Sequence, residues 1–199
     1  MKIYLIRHGE TTGDVENRYG GDYDDHLSFK GKAQCAELAK KLKNKGIEII
    51  YHSPKIRAKE TAQILNKLLG VKLESVQDLR ERNNYGILTG LVKSEAKEKY
   101  PKEAEKLEKS KIYHDVKSSE DYNSFKKRII NVFEKVSKNN YNVIAILTHG
   151  GPISCIIREA LNLGEFEFLG DCAILEIEKT GPKLELIKLE NASLKNQTK

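Results

Sequence analysis

The sequence predicts an α/β fold, a three-layer sandwich with a mostly parallel central sheet and helices on both faces. Three observations support this class. Short runs of apolar and β-branched residues alternate along the chain with longer segments whose apolar residues have helical spacing. The run at 142–147 is apolar from its second residue onward, which is typical of a strand buried on both faces. A length of 199 residues with 39% hydrophobic residues suits one domain with a sizeable core.

The first half of the chain contains three predicted strands and two predicted helices. The strands are expected at 3–6, 47–51 and 71–76, and the first helix at 31–45, where apolar residues occupy positions 35, 38, 39 and 42. Ser53 predicts the cap of the second helix, because Pro54 follows it at the first helical position, where proline is tolerated. That helix is expected to end at Leu69, since Gly70 comes next.

The second half contains further helices and a closing pair of strands. The predicted helices are two short exposed ones within 93–111, one at 120–138 and one at 151–161, and the predicted strands are 142–147, 172–178 and 183–189. The last two strands are expected to pair antiparallel. We therefore expect one domain at 1–190, with a helical insertion at about 92–117 that covers one end of the sheet, and a polar, frayed tail at 191–199.

The charge and the cysteines of the chain limit its location and its partners. The net charge of +6 reflects 35 Lys and Arg against 29 Asp and Glu. Lys alternates with Glu in segments such as 93–99, a pattern typical of a solvated helix face rather than of a nucleic-acid site. No apolar run approaches the roughly 20 residues of a membrane span, and the N-terminus lacks the apolar region of a signal peptide. An odd number of cysteines favours reduced thiols. We expect a cytoplasmic protein without nucleic-acid or membrane partners.

Unusual polar residues follow three of the predicted strands. Arg7 and His8 follow the first strand, Arg57 lies a few residues beyond the second, and His149 follows the strand at 142–147. The carboxyl ends of parallel strands meet at one edge of a sheet, so these side chains are expected to converge. Two histidines and two arginines would repel one another unless an anion lay between them, and a phosphate dianion satisfies that need. Arg57 supports this interpretation, because the helix dipole disfavours a cation in the first turns of a helix.

Five short motifs, spread from residue 3 to about 160, carry a family resemblance. They are Arg7-His8-Gly9-Glu10-Thr11; Leu27-Ser28 with Gly31-Lys32-Ala33-Gln34; Ser53-Pro54-Lys55-Ile56-Arg57-Ala58-Lys59-Glu60-Thr61-Ala62; Leu79-Arg80-Glu81 with Gly86 and Gly90-Leu91; and Thr148-His149-Gly150-Gly151. In this order they resemble the histidine phosphatase superfamily, whose fold is phosphoglycerate mutase-like. One such motif is a weak signal, but five in sequence are specific.

The resemblance implies a mechanism with a phosphohistidine intermediate. His8 would be the nucleophile that attacks phosphorus. Arg7, Arg57 and His149 would bind the phosphoryl oxygens and offset the charge of the transition state. Glu81 would protonate the leaving oxygen and then, as a carboxylate, activate the water that hydrolyses the intermediate. The resemblance implies no metal ion and no cofactor, since protein side chains supply the positive charge.

Two positions depart from the family pattern. Such proteins often carry an asparagine where this chain has Asp14, and a carboxylate would be repelled by a bound phosphate. We therefore expect Asp14 to point away from the phosphate. Glu81 also stands five residues before Gly86, apparently one more than is common, so the loop that carries the acid is expected to bulge.

The resemblance leaves three functions open. The expected one is metal-independent hydrolysis of small phosphorylated metabolites through His8. The alternatives are a cofactor-dependent phosphoglycerate mutase and a non-catalytic module that binds a phosphorylated ligand. The short segment after Leu91 favours hydrolysis, because mutases of this type resemble a longer chain with an insert that shields phosphohistidine from water. The presence of His8, His149 and Glu81 argues against a module without catalysis.

Substrate specificity is expected to depend on the loop at 12–26 and on the segment at 82–117. Four tyrosines in these segments could contact a leaving group, and packing at the surface is an equal alternative for them: Tyr19, Tyr23, Tyr85 and Tyr113. The expected partner is a small phosphorylated substrate, and the chain is expected to be a monomer or a homodimer.

Overall fold

A six-stranded sheet forms the centre of the molecule in the part of the chain that the computed structural model describes, residues 1–109 and 116–195. Its strands are β1 (Lys2–Arg7), β2 (Ile49–His52), β3 (Lys72–Ser75), β4 (Val143–Thr148), β5 (Phe166–Thr180) and β6 (Lys183–Leu194). The order across the sheet is β3-β2-β4-β1-β5-β6. The first four strands in this order run parallel, and β5 and β6 are antiparallel to their neighbours. The predicted α/β class with a mostly parallel sheet is confirmed.

Helices cover both faces of the sheet. Among the described residues they are α1 (Thr12–Val15), α2 (Phe29–Leu42), α3 (Ile56–Leu69), α4 (Lys93–Lys99), α5 (Pro101–Lys109), α6 (Tyr122–Val136) and α7 (Gly150–Glu159). In β1, Tyr4 and Ile6 pack with α2 and α3, whereas Ile3 and Leu5 pack with α6 and α7, as the alternation of side chains along a strand requires. The predicted three-layer sandwich is confirmed. None of these described helices combines the length and the apolar character that a membrane crossing needs.

The start of α3 differs from the prediction. The helix begins at Ile56, after Lys55 in the N-cap position, rather than after Ser53. The sheet competes for Ser53: β2 extends to His52, and the backbone N–H of Ser53 still donates to the carbonyl of Leu147, 3.0 Å away, in the neighbouring strand. The chain therefore turns out of the sheet two residues later than the cap signal predicts.

The closing hairpin is longer than predicted. β5 begins at Phe166, six residues earlier than expected, and β6 continues to Leu194, so 191–194 of the predicted tail belong to the sheet. The reason is that Phe166 and Leu194 are paired, and strand pairing uses backbone groups that polar side chains do not remove. Residues 196–199 of the predicted tail lie outside the described residues.

The predicted insertion at 92–117 contains α4 and α5, and its residues 110–115 lie outside the described part of the chain. The insertion shares a small hydrophobic cluster with two residues outside it, separate from the two clusters that flank the sheet. That cluster consists of Tyr19, Leu88, Ala96, Ala104 and Val116. An isolated backbone bridge also joins Arg18 to Val92. The insertion therefore packs against the loop that follows α1, next to the carboxyl ends of the parallel strands.

Candidate active site

A cavity of about 460 Å³ opens at the carboxyl ends of β1 and β4. Four of the predicted site residues line it, namely Arg7, His8, Arg57 and Glu81. The fifth, His149, is fully buried and lies behind the wall of the cavity, against His8 and Arg57. The parallel strands thus bring together side chains that lie far apart in the sequence.

The ring of His8 is held in one orientation at the end of β1. Its Nδ1 lies 2.8 Å from the carbonyl oxygen of Gly9, and because a carbonyl only accepts, Nδ1 carries the proton and donates. Nε2 is then left with its lone pair, and it accepts a hydrogen bond from Nε of Arg57 at 3.2 Å. Burial lowers the pKa of His8 well below its ordinary value, and the charges of Arg57 and Arg7 lower it further. His8 is therefore a neutral imidazole whose Nε2 can act as a nucleophile.

The loop that carries His8 rests on the first turn of α2. Ser28 caps that helix by accepting from the backbone N–H of Gly31, and its own hydroxyl donates to the carboxylate of Glu10, 2.7 Å away. The two backbones approach so closely that a Cβ on Gly31 would lie 2.0 Å from the carbonyl oxygen of Glu10. Glycine at position 31 is thus required for the loop after β1 to pack on α2.

Arg57 is the buried cation at the centre of the site. Its side chain is 4% exposed and pairs with Asp25, with 2.8 Å between Nη1 and Oδ1. The guanidinium also donates to the carbonyl oxygens of Tyr23 and Gly21 at 2.7 and 2.9 Å. Its Nε lies 3.2 Å from a ring nitrogen of each histidine of the site. The loop before α2 therefore fixes the position of Arg57 through the two terminal nitrogens and leaves Nε directed at the histidines.

His149 follows β4 and faces the same guanidinium. Its Nδ1 accepts from Nε of Arg57, so its Nε2 carries the proton and donates to the hydroxyl of Ser53, 2.7 Å away. The rings of His149 and His8 meet edge to face with centroids 5.0 Å apart. Burial lowers the pKa of His149 well below its ordinary value, and Arg57 adds to the effect. Both imidazoles are consequently neutral.

Arg7 is the last residue of β1 and directly precedes His8. Its Nη1 donates to the carbonyl of Leu169 at 2.7 Å, and its Nη2 lies 3.5 Å from the carboxylate of Asp171. Its Nε is buried and has no hydrogen-bond partner in the described part of the chain. A buried donor without a partner costs free energy unless a ligand satisfies it, so this atom is suited to an anion in the cavity.

Glu81 reaches the cavity from the loop that follows β3. Its Oε1 accepts from the backbone N–H of Arg82 at 2.7 Å, and its Oε2 accepts from that of Gly151, at the start of α7, at 3.1 Å. A Cβ on Gly151 would lie 2.2 Å from the carboxylate of Glu81, so only glycine at position 151 leaves room for this carboxylate. Burial raises the pKa of Glu81 above its ordinary value. The site thus holds a carboxyl group that retains its proton more readily than usual, together with neutral histidines.

Asp14 is exposed at the rim of the cavity. Its carboxylate forms a capping box with Thr11, in which Oδ2 accepts from the backbone N–H and from the hydroxyl of Thr11, both at 2.9 Å. The side chain is therefore engaged at the start of α1 and is not among the groups that contact His8 or Arg57.

Several residues of the site escaped prediction from the sequence. Asp25 orients Arg57, Ser53 orients His149, and Asp171 contacts Arg7. The three acidic residues within 20–25 indicate that this loop could pair with a cation. They do not indicate which of the three carboxylates pairs with Arg57. The outer wall of the cavity also includes side chains from the last two helices and from the loop before β5, namely Tyr122, Phe125, Ser154, Arg158 and Glu165.

The segments predicted to govern specificity contribute to the lining of the cavity. The loop at 12–26 supplies Tyr23, and the segment at 82–117 supplies Tyr85 and Lys93. Tyr19 is buried and packs on the ring of Tyr85, and Tyr113 lies outside the described residues. Among the described residues, no group of three or more His, Cys, Asp or Glu side chains could hold a metal ion.

Comparisons with known proteins address the family and the fold of the chain. The family model described as "Histidine phosphatase superfamily (branch 1)" matches residues 3–191. A phosphoglycerate mutase-like protein of Arabidopsis thaliana is 32% identical over 164 residues, which cover 80% of this chain and 70% of that protein. A protein of Bacillus subtilis that is named an uncharacterized phosphatase is 28% identical over 195 residues, 98% of this chain and 86% of its own. The crystal structure of the alpha-ribazole phosphatase from Shigella flexneri has the same fold, with a TM-score of 0.83 at 20% identity and full coverage of both chains.

Proposed function

The chain belongs to the histidine phosphatase superfamily, and we propose that His8 carries the phosphoryl group in the hydrolysis of small phosphorylated metabolites that this phosphomonoesterase catalyses. The observation that carries the proposal is the tautomer and the charge of the His8 ring. Its Nδ1 donates to a carbonyl, its Nε2 keeps a lone pair, and burial holds it neutral. A nucleophilic imidazole needs these three properties.

In the first step, Nε2 of His8 attacks phosphorus in line with the ester oxygen. The N–P bond forms as the bond from phosphorus to the leaving oxygen breaks, and the proton of the Glu81 carboxyl group passes to that oxygen. The raised pKa of Glu81 suits this donation. In the second step, the Glu81 carboxylate takes a proton from water, which attacks phosphorus and releases His8 and inorganic phosphate.

The cations of the site stabilise the charge on the transferred phosphoryl group. Nε of Arg7, which has no hydrogen-bond partner among the described residues, is available to one phosphoryl oxygen. Nε of Arg57 can give up its contact with a histidine nitrogen and bind a second oxygen. His149 stands beside Arg57 with its proton on the Ser53 side, so it binds a phosphoryl oxygen as a donor only when it gains a proton or changes tautomer. Such preorganised charge is the main source of catalysis in phosphoryl transfer.

The size and charge of the cavity support a small, anionic substrate. A volume of about 460 Å³ is within the usual range for sites that bind small molecules. Lys93 lines the outer part without an ion pair among the described residues, and its Nζ lies 5.9 Å from the centre of the Tyr19 ring. A carboxylate or a second phosphate on the leaving group would be attracted to it.

The proposal also includes the extent of the domain, its location and its partners. The single catalytic domain expected at 1–190 continues to the end of β6 at Leu194, with the insertion at 92–117 beside the cavity. The enzyme acts in the cytoplasm as a monomer or a homodimer, without metal, cofactor, nucleic acid or membrane partners. The similarity to a phosphoglycerate mutase-like protein keeps transfer of the phosphoryl group to a second hydroxyl as the alternative fate of phosphohistidine.

The test is phosphate release, with analysis of product isomers, from a panel of phosphoesters that includes 3-phosphoglycerate, in excess chelator. Wild type is compared with His8→Ala and with a matched control, His52→Ala. His52 is equally buried, is the last residue of β2 and has its Nδ1 2.8 Å from the next carbonyl, but it does not line the cavity. Loss of phosphate release in His8→Ala alone supports the proposal. Isomerised phosphoglycerate with little free phosphate would identify a mutase, and turnover without His8 would overturn both.

A further inference from the structure

Two cysteines from distant parts of the chain meet beneath the candidate nucleophile. Cys35 lies in α2 and Cys172 in β5, and their sulfur atoms are 3.9 Å apart within a hydrogen bond. The third cysteine, Cys155, packs in the core on the other face of the sheet. Cys35 and Cys172 are far apart in the sequence, so no sequence motif contains both of them.

Cys172 occupies an irregular position in its strand. Its φ is 53°, in the left-handed region that L-residues rarely adopt. The pairing of β5 with β6 also shifts register between Leu169 and Ile174, around this residue. The backbone here does not follow the regular ladder, so the side chain of Cys172 is turned toward α2.

Both cysteines contact the loop that carries His8. The backbone N–H of Cys172 donates to the carbonyl of His8 at 3.0 Å. The sulfur of Cys35 is packed so closely under Gly9 that a Cβ there would lie 2.8 Å from it. Its thiol donates to the hydroxyl of Thr61 at 3.5 Å, and the same hydroxyl lies 3.4 Å from the backbone N–H of Gly9. A change in the bonding of these sulfurs therefore acts directly on the position of the nucleophile.

A groove on the surface gives access to the pair. Its volume is about 840 Å³, and its lining includes Cys172 together with Lys30, Gln34 and Asp171. Cys35 is fully buried, whereas Cys172 is partly exposed. The hydrogen bond with Cys172 lowers the pKa of Cys35, whereas the same bond and burial raise the pKa of Cys172. Cys35 is therefore the more acidic thiol of the pair, and thiolate character favours reaction with a peroxide.

We infer that Cys35 and Cys172 form a reversible disulfide when the protein meets a peroxide, and that this bond displaces His8 and slows turnover. Peroxide first converts one thiol to a sulfenic acid and releases water. The sulfur of the second cysteine then attacks the sulfenic sulfur, the S–S bond forms, and a second water leaves. Two electrons pass from the thiols to the peroxide, and both thiol protons leave in the water.

The consequence for the site comes from the distance that the sulfurs must travel. A disulfide bond is about 2.05 Å long, so the two sulfur atoms must approach by almost 2 Å from their present 3.9 Å. Cys172 directly follows Asp171, which contacts Arg7. The backbone N–H of Cys172 also donates to the carbonyl of His8. A displacement of about 1 Å at reacting groups costs about 100-fold in rate, so the oxidised protein is expected to be slower by about 10- to 100-fold.

The experiment treats the reduced full chain with hydrogen peroxide and then blocks the remaining thiols in denaturant. Peptide mapping by mass spectrometry identifies the disulfide, and phosphate release is measured before oxidation, after it and after dithiothreitol. Cys172→Ser removes one partner, and Cys155→Ala is the control that keeps the pair. The activity readout depends on the proposed function, whereas the mapping does not, so the two proposals fail separately.

The expected result is a Cys35–Cys172 disulfide in wild type and in Cys155→Ala, each losing activity by at least about 10-fold and recovering it with dithiothreitol. Cys172→Ser is expected to keep its starting activity through the same treatment. Two results would overturn the inference: maps without this disulfide, or an equal loss of activity in Cys172→Ser. If the reduced chain shows no phosphate release at all, the proposed function fails while the map still decides whether the pair is oxidised.

Discussion

The buried ion pair between Arg57 and Asp25 can be tested by Asp25→Asn, which removes the charge and keeps the shape. Nη1 and Oδ1 are 2.8 Å apart, and both side chains are almost fully buried. At a charge separation of about 4 Å and an effective dielectric constant of about 20, the lost attraction is about 4 kcal/mol. The asparagine oxygen still accepts from Arg57, and two carbonyls keep their bonds to it. We therefore expect a loss of about 3 kcal/mol, the lower end for a broken buried pair.

The assay is urea unfolding followed by circular dichroism. With an m value of about 2 kcal/mol/M, the midpoint is expected to fall by about 1.5 M. Asp24→Asn is the matched control. That side chain is half exposed and 4.0 Å from Lys55, and its bond to the backbone N–H of Ile56 is one that an amide oxygen can also accept, so its cost is expected to stay below about 1 kcal/mol.

A second measurement separates charge from packing in the same variant. Without Asp25, the cation of Arg57 is uncompensated, so inorganic phosphate in the cavity is expected to stabilise Asp25→Asn more than wild type, by mass action on the folded state. Equal losses for the Asp25 and Asp24 variants would refute the reasoning. So would a phosphate effect of the same size in the variant and in wild type.

Two further predictions concern the acid and the packing of the nucleophile loop. Because burial raises the pKa of Glu81, its acid form persists to higher pH, and kcat/KM for alkyl phosphates is expected to fall as pH rises through that pKa. Glu81→Gln should abolish this fall and lower kcat/KM for alkyl phosphates by about 100-fold or more, with little effect on kcat/KM for 4-nitrophenyl phosphate. Equal losses of kcat/KM on both substrates would point to another acid, or to a role of Glu81 in hydrolysis of the intermediate alone. Gly31→Ala places a Cβ 2.0 Å from the carbonyl of Glu10 and is expected to cost about 3 kcal/mol in thermal unfolding, whereas the exposed Lys32→Ala in the same helix turn is expected to cost little, so a Gly31→Ala protein as stable as that control would contradict the close packing.

The sequence predicts the fold and the convergence of the candidate site residues, because both depend on local patterns. Apolar runs identify the strands, and residues directly after a parallel strand must lie at the same edge of the sheet. His8, Arg57 and His149 are therefore recognisable without any knowledge of tertiary contacts. Their convergence in the structure follows from the strand order and needs no further signal.

What the sequence does not predict depends on contacts between distant segments. Asp25 is one acid among several in its loop, and only the approach of α3 selects it as the partner of Arg57. The local sequence predicts Ser53 as a helix cap. In the structure its backbone N–H donates to Leu147 of β4, and its hydroxyl is bonded to His149. The pairing of Cys35 with Cys172 is equally invisible, since it requires α2 and β5 to be packed together.

The central place of β1 in the sheet sets the order in which a newly synthesised chain can become active. β1 is paired on one side with residues 143–148 and on the other with residues 174–178, both of which leave the ribosome long after it. Until they arrive, the strand that precedes His8 has two open edges, which favour aggregation. Contacts over such distances also fold slowly. Maturation of this enzyme is therefore expected to be largely post-translational, and chaperones that shield exposed strands would act on it at its most vulnerable stage.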